Sequence, residues 1–333
     1  MASDSDVWDA AACSSGPGNK IEEELLLIGQ LDRAIRTKDS GPLLHAQCGF
    51  AIHSKPNVET YSSNCAPCFL SGRSQYRETE RRPVYNACVA DLKGKTVFIT
   101  GAARRLGKAI ALAMAQSGAN VAFTFRSSST EAEQTLNEIK AKGVQALAFK
   151  CDLREPQSAK DAVQNVLKHF RQIDVLINNA GVFETANIEG ITAEQWDEVF
   201  AVNVRAPFLV SQSCVPSLRS THGRIINMGS LGGEKPWSTH AHYCSSKAAL
   251  HMLTQVMAKA LAPEIAVNCV APGMIDVGSG EKDPVLLQRL AAHTPMKKNG
   301  SPQDVVSAVM YFATSPHFIT GQILTVDGGL SLH

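Results

Sequence analysis

From Leu92 onward, short apolar runs alternate with longer amphipathic ones, and this alternation restricts the chain more than any other feature. Thr96 to Thr100, Val121 to Phe125, Val144 to Lys150, Ile173 to Asn178, Arg224 to Met228 and Ala266 to Val270 each read as one short buried strand. Segments of helical period, about a dozen residues or longer, separate them. Strands apolar on both faces and joined by helices belong in a parallel sheet covered on both sides. The expected fold class is therefore α/β, a Rossmann-type doubly wound parallel sheet of about seven strands.

Residues 1–90 lack that pattern. Ser, Asn, Pro and Gly are scattered through them, and only Ile21 to Ile35 is periodic, with Glu22 to Glu24 in its first turn and Arg33 and Arg36 near its end, as a helix dipole favours. The expected organisation is a largely irregular extension over 1–90, with a short helix near 21–36, followed by a single catalytic domain over 91–333. Cys65 and Cys68 have the spacing of a redox or zinc half-site, with Cys48, Cys88, His45 and His53 as conceivable partners. No second close pair completes a zinc site and no strand-helix context makes a thioredoxin motif, so no metal is expected. An odd total of nine cysteines points to reduced thiols.

A net charge of +1 with scattered basic residues gives no footprint for nucleic acid. No apolar run approaches the roughly 18 residues of a membrane span. Asp4, Asp6 and Asp9 suit neither a secretory signal nor a transit peptide, so a cytoplasmic protein is expected.

The first strand runs into Thr100-Gly101-Ala-Ala-Arg-Arg-Leu-Gly107 and then an apolar-periodic helix. Glycines there permit a tight turn and let a phosphate approach the amides at the helix N-terminus, the arrangement that holds a dinucleotide. The second strand ends at Phe125-Arg126-Ser127-Ser128, without the carboxylate that would hold free ribose hydroxyls. Arg126, Ser127 and one of Arg104 or Arg105 instead suit a 2′-phosphate, which favours NADP(H).

Ser230 to Lys247 carries the reactive groups. Tyr243 and Lys247 lie four apart at the start of a segment whose Leu250, Leu253, Met257 and Leu261 recur at helical spacing, so both face one side. A phenol ordinarily titrates near 10; an ammonium about 5 Å away favours the phenolate by roughly 3 kcal/mol at an effective dielectric of about 20, or about two pKa units. Tyr243 then serves as an acid toward a developing alkoxide, and Ser230, on the loop leaving Arg224 to Met228, hydrogen-bonds the same oxygen. The chemistry implied is carbonyl reduction or its reverse.

With Asn178-Asn-Ala-Gly181, Asn203 in Val-Asn-Val-Arg-Ala-Pro, Pro272-Gly273 and Val326-Asp-Gly-Gly329 added, the chain from Leu92 to its end resembles the short-chain dehydrogenase/reductase family. The resemblance implies that Ser230, Tyr243, Lys247 and Asn203 form the catalytic set, Lys247 also binding the nicotinamide ribose and Asn203 holding a water that links Lys247 to solvent. It places Asp152 at the adenine and Asn179 beneath the central strand and cofactor. It adds Gly101, Leu106, Gly107, Leu153, Ala180, Gly181, Pro272, Gly273 and Ile275 to the cofactor contacts, and it implies a homo-oligomer.

Two departures stand out. Arg105 occupies the middle glycine position of the family's turn, and the threonine often found shortly after Pro-Gly is missing from Met274 to Gly278. The first is similar to the pteridine reductase branch, as is Phe183, five positions after Asn178, where that branch stacks a ring on its pterin. Ser230 stands where that branch typically has Asp, so the likeness is partial. Gly233 to His242, with Pro236, Trp237, His240 and His242, should wall the substrate pocket, and Asp276 to Lys298 should cover it. The expected activity is NADP(H)-dependent reduction of a carbonyl or pterin-like ring imine. The alternatives are a 3-oxoacyl carrier-protein reductase and, from another class, an idle NADP(H)-binding module.

Overall fold

The computed structural model describes residues 92–278 and 284–332. The helix expected near 21–36, the Cys65 and Cys68 pair and the boundary at residue 90 lie outside the described residues.

Seven parallel strands form one sheet: β1 (Thr96–Ile99), β2 (Asn120–Phe125), β3 (Ala146–Lys150), β4 (Val175–Asn178), β5 (Arg224–Met228), β6 (Ala266–Pro272) and β7 (Ile323–Val326), in the order β3-β2-β1-β4-β5-β6-β7. The helices between them are α1 (Arg105–Gln116), α2 (Ser129–Lys140), α3 (Pro156–Phe170), α4 (Ala193–Phe200), α5 (Ala206–Thr221), α6 (Ala241–Leu261), α7 (Pro284–His293) and α8 (Pro302–Thr314). This is the doubly wound architecture, with strand order reversing on either side of β1, between β1 and β4, where the carboxyl ends open a crevice.

Strand alternation divides the core in two. Val97, Ile99, Val121 and Phe123 point to one face, against Ile110 and Met114 of α1 and Val305, Val309 and Phe312 of α8. Phe98, Leu176, Ile225 and Val267 point to the other, against Val163 and Val166 of α3 and Val210 and Leu218 of α5. Each such side chain contributes about 1.5–3 kcal/mol by leaving water. α4 begins at a Thr192/Gln195 capping box and α8 at a Ser301/Asp304 one, so both helix starts have satisfied amides.

Six strands lie where the apolar runs place them. β7, Ile323–Val326, is an apolar run not among those singled out from the sequence; it forms an edge strand with only partial burial, paired with β6.

At the carboxyl ends of β4 and β5 a buried polar chain ties the sheet to two helices. Asn178 Nδ2 donates to Asn227 Oδ1 (2.9 Å) and to Ser211 Oγ of α5 (3.0 Å), and Asn227 Nδ2 donates to Thr254 Oγ1 of α6 (2.9 Å). Replacing Asn227 orphans buried partners, each costing about 1–3 kcal/mol. Asn227→Ala is expected to lower the urea midpoint at unchanged slope by an equivalent of about 2 kcal/mol. A loss under about 0.5 kcal/mol would show that the chain of amides does not hold α6 to the sheet.

Candidate active site

The turn after β1 is clamped from three sides. Thr100 Oγ1 accepts the Asn179 and Ala180 amides (3.0 Å each), Asn179 Nδ2 donates to the carbonyls of Thr100 (3.0 Å) and Gly101 (2.8 Å), and Gly101 N donates to Thr124 Oγ1 (3.1 Å). Asn179 thus supports the turn from β4. A Cβ on Gly107 would collide with the Gly101 carbonyl and approach Asn179 Nδ2 to 2.7 Å, so glycine is what lets α1 start against the strand.

Above the turn lies a cleft of about 410 Å³. Gly101, Arg104, Arg105, Leu106, Gly107, Arg126, Ser127, Asp152, Leu153, Asn179, Ala180 and Gly181 line it, together with Thr124, Val182 and Val202, which sequence reasoning did not name. Pro272, Gly273 and Ile275 are not among its walls. They end and follow β6, where Gly273 N donates to Val326 O (2.9 Å) and Ile275 is buried beside Gly300.

Charge gathers at one end of the cleft. Arg154 grips Asp152 (2.6 Å) and reaches Glu198 of α4 (3.2 Å), which also lies 3.8 Å from Arg126. The Arg154 hydrogen bond, assisted by the charge of Arg126, holds the Asp152 carboxyl below its usual range. Glu198 was not foreseen because it comes from a helix beyond β4 and meets β2 only in the folded sheet.

Ser230, Tyr243 and Lys247 converge where β5 meets α6. Lys247 Nζ donates to the Met228 carbonyl (2.8 Å) and lies 5.8 Å from the centre of the Tyr243 ring. Ser230 Oγ accepts the Gly232 amide (3.1 Å), leaving its own proton to give. The phenol departs from expectation: burial pushes it up to about 12, against the lowering effect of its Ser230 hydrogen bond. Burial also pushes Lys247 down to about 8. Removal from water disfavours the charged form of each group, which raises the phenol and lowers the ammonium.

Asn203 occupies a five-residue π-helical segment, Ala201–Arg205, between α4 and α5. Its Oδ1 accepts the Val182 amide (2.9 Å), and its Nδ2 donates to the Val182 carbonyl and to Ser246 Oγ (3.0 Å each). It therefore joins the strand-β4 loop to α6 between Tyr243 and Lys247. Such a widened turn is frequent at functional sites, and no residue type announces it in sequence.

Four rings crowd the mouth. Phe183, 59% exposed, lies 4.8 Å from both Tyr243 and His240 and 6.4 Å from Trp237, which in turn stacks on Tyr243 at 6.1 Å. His240 is held by the hydroxyls of Thr185 (3.1 Å) and Thr239 (3.0 Å). His242 is buried, with Nε2 3.9 Å from the Glu184 carboxylate. The segment expected to cover the pocket contains α7, with 279–283 outside the described residues.

Comparison with known proteins gives consistent relatives. A family model described as enoyl-(acyl carrier protein) reductase matches residues 101–331. A 3-oxoacyl-[acyl-carrier-protein] reductase of Staphylococcus epidermidis is 34% identical over 71% of this chain and 98% of its own. Among solved structures, a blue fluorescent protein from a metagenomic library, in complex with NADPH, is 34% identical with a TM-score of 0.68, covering 72% of this chain and 99% of its own. An NAD+-bound xylitol dehydrogenase is 29% identical with a TM-score of 0.67, covering 72% and 99%.

Arg105 has φ 53°, the left-handed region that the glycine it replaces would adopt freely. A side chain there costs about 1–2 kcal/mol. Arg105→Gly is therefore expected to exceed Arg105→Ala in unfolding free energy by about 1 kcal/mol, since both lack the guanidinium and only the alanine keeps the strain. Equal stabilities would mean that the turn relaxes around the side chain.

Proposed function

The chain belongs to the short-chain dehydrogenase/reductase family, and from that premise we propose that it is an NADP(H)-dependent reductase of a carbonyl or ring imine on a flat, pterin-like aromatic substrate. The observation that carries the reading is the convergence of Ser230, Tyr243 and Lys247 at the sheet's carboxyl edge, beside a cleft lined by the glycine turn and by Arg126 and Ser127.

In this reading the turn from Gly101 to Gly107 and the start of α1 face the pyrophosphate, Asp152 and Leu153 flank the adenine, and Arg126 with Ser127 takes the 2′-phosphate. The cleft fits such a group because its walls combine the glycine turn with the cations of Arg104, Arg105 and Arg126 and the Ser127 hydroxyl. Asn179, Ala180 and Gly181 lie along the same cleft toward Lys247, and a Cβ on Gly181 would stand 3.6 Å from Lys247 Nζ. Bound, the nicotinamide supplies a hydride to the substrate carbon. Tyr243 gives its proton to the substrate oxygen or nitrogen as charge develops there, and Ser230 donates a hydrogen bond to the same atom. Lys247, when protonated, favours the phenolate that remains, and Asn203 fixes the helix turn that carries both residues.

The ring cluster supports an aromatic substrate. Offset or edge contacts between rings contribute about 0.5–1.5 kcal/mol beyond area burial, and Phe183 offers an exposed face next to the phenol. The likeness to the Staphylococcus 3-oxoacyl-[acyl-carrier-protein] reductase favours a second reading, reduction of a 3-oxoacyl carrier-protein thioester. We also propose a homo-oligomer, since Phe208, Met252 and Val256 expose apolar side chains on α5 and α6.

NADPH oxidation with a dihydropterin, an aromatic ketone, a 3-oxoacyl thioester and a small aliphatic ketone separates these readings. The expected result is turnover of the aromatic substrates, a dissociation constant at least about tenfold lower for NADPH than for NADH, and in Tyr243→Phe less than about a tenth of the rate with NADPH binding intact. Phe183→Ala should lower kcat/KM about tenfold for the ring substrates and spare the aliphatic ketone. Turnover of the thioester alone would favour the second reading; no turnover by any arm, with NADPH still bound, would favour the idle binding module.

A further inference from the structure

One helical turn beyond Lys247, on the same side of α6, stands His251. Its side chain is buried and lies under the loop that carries Ser230. Lys247 and His251 together hold the three residues that leave β5. Lys247 donates to the Met228 carbonyl (2.8 Å), and His251 Nε2 accepts the Ser230 amide (3.4 Å). Glycines on both sides of Ser230 make room for the ring. A Cβ on Gly229 would collide with Nε2 and stand 2.6 Å from Cys269 Sγ, and one on Gly233 would stand 2.7 Å from Cε1 and 2.9 Å from Nδ1. The loop is thus wrapped on an imidazole, and only glycine at 229 and 233 allows that approach.

We infer that His251 is a positioning residue, its neutral imidazole accepting the Ser230 amide and so holding the Ser230 hydroxyl toward the reacting oxygen. The ring's tautomer follows from the bond: Nε2 is the acceptor, so the proton of the neutral ring resides on Nδ1. Protonation places N–H on both nitrogens and sets a donor against the Ser230 donor. The charged groups around the ring are Glu234, whose carboxylate favours protonation, and Lys247, whose ammonium opposes it; the Cys269 thiol lies beside the same glycine. Burial is the largest influence and keeps the ring's pKa below 6.5, so the bond is present at neutral pH and is lost as pH falls through that lower value.

Two substitutions separate positioning from packing. His251→Gln places a carbonyl oxygen near the Nε2 position, whereas His251→Leu fills the space with no acceptor. Amide hydrogen exchange needs neither cofactor nor substrate. The Ser230 amide should exchange about tenfold faster in His251→Leu, and within about threefold of the wild-type rate in His251→Gln. In the wild type, after correction for intrinsic exchange, its protection should fall as pH drops below 6.5, and in His251→Gln it should not. The kinetic arm rests on the reductase reading: kcat should drop about tenfold in His251→Leu with the NADPH dissociation constant unchanged, and the acid limb of the wild-type profile should vanish in His251→Gln. Wild-type protection of Ser230 in His251→Leu, or equal losses in the two variants, overturns the inference. Should His251→Leu fail to fold, a pH-independent wild-type Ser230 protection overturns it equally. Absence of any reductase activity counts against the function proposed above and leaves the exchange arm to judge His251.

Discussion

Helix α6 holds the end of β5 through one bond on which the rest of the site depends, the donation from Lys247 Nζ to the Met228 carbonyl. The bond fixes the ammonium at the carboxyl edge of the sheet. Because Tyr243 is four residues earlier on the same helix, it fixes the phenol as well. The amide chain from Asn178 through Asn227 to Thr254 holds the same helix to the two central strands deeper in the core. Tyr243 and Lys247 are therefore mounted on one rigid helix, and loops supply Ser230 and most of the rings around Tyr243.

Burial decides the electrostatics of this arrangement. The Lys247 ammonium, 5.8 Å from the centre of the Tyr243 ring, would favour the phenolate. Burial acts on both groups in the opposite sense: the phenol moves up to about 12 and the lysine down to about 8, both because water is excluded. Tyr243 is thereby kept in the protonated form that a reductase needs from its acid. Lys247 titrates near the pH at which the protein would work, so its charge is the adjustable one.

The fold was legible because parallel strands buried on both faces leave uninterrupted apolar runs, and six of the seven were read from them. The run of β7, Ile323–Val326, was passed over: four half-exposed residues at the sheet edge are a short signal, and pairing with β6 is what makes them a strand. Around the cleft, the residues that sequence reasoning grouped by local spacing do lie together: the turn from Gly101 to Gly107, Arg126 with Ser127, and Tyr243 with Lys247. What stayed hidden were contacts made across the fold. Glu198 reaches Arg126 and Arg154 from another helix, and His251 finds Ser230 only because Gly229 and Gly233 let the loop close on it. The direction of the Tyr243 shift was misjudged for the same reason: spacing gives a distance to Lys247 and says nothing of how much water the folded chain removes.

The pH dependence of kcat/KM for reduction tests the central claim most directly, because it reports the ionisations of the free enzyme. If Lys247 supplies the charge that supports proton donation by Tyr243, the rate should be level near neutrality and fall as pH rises through about 8, where Lys247 loses its proton. In Lys247→Arg, whose guanidinium keeps its charge, any remaining activity should show no such fall. A wild-type profile that stays level well above pH 8, up to the range near 12 where Tyr243 itself ionises, would contradict the account.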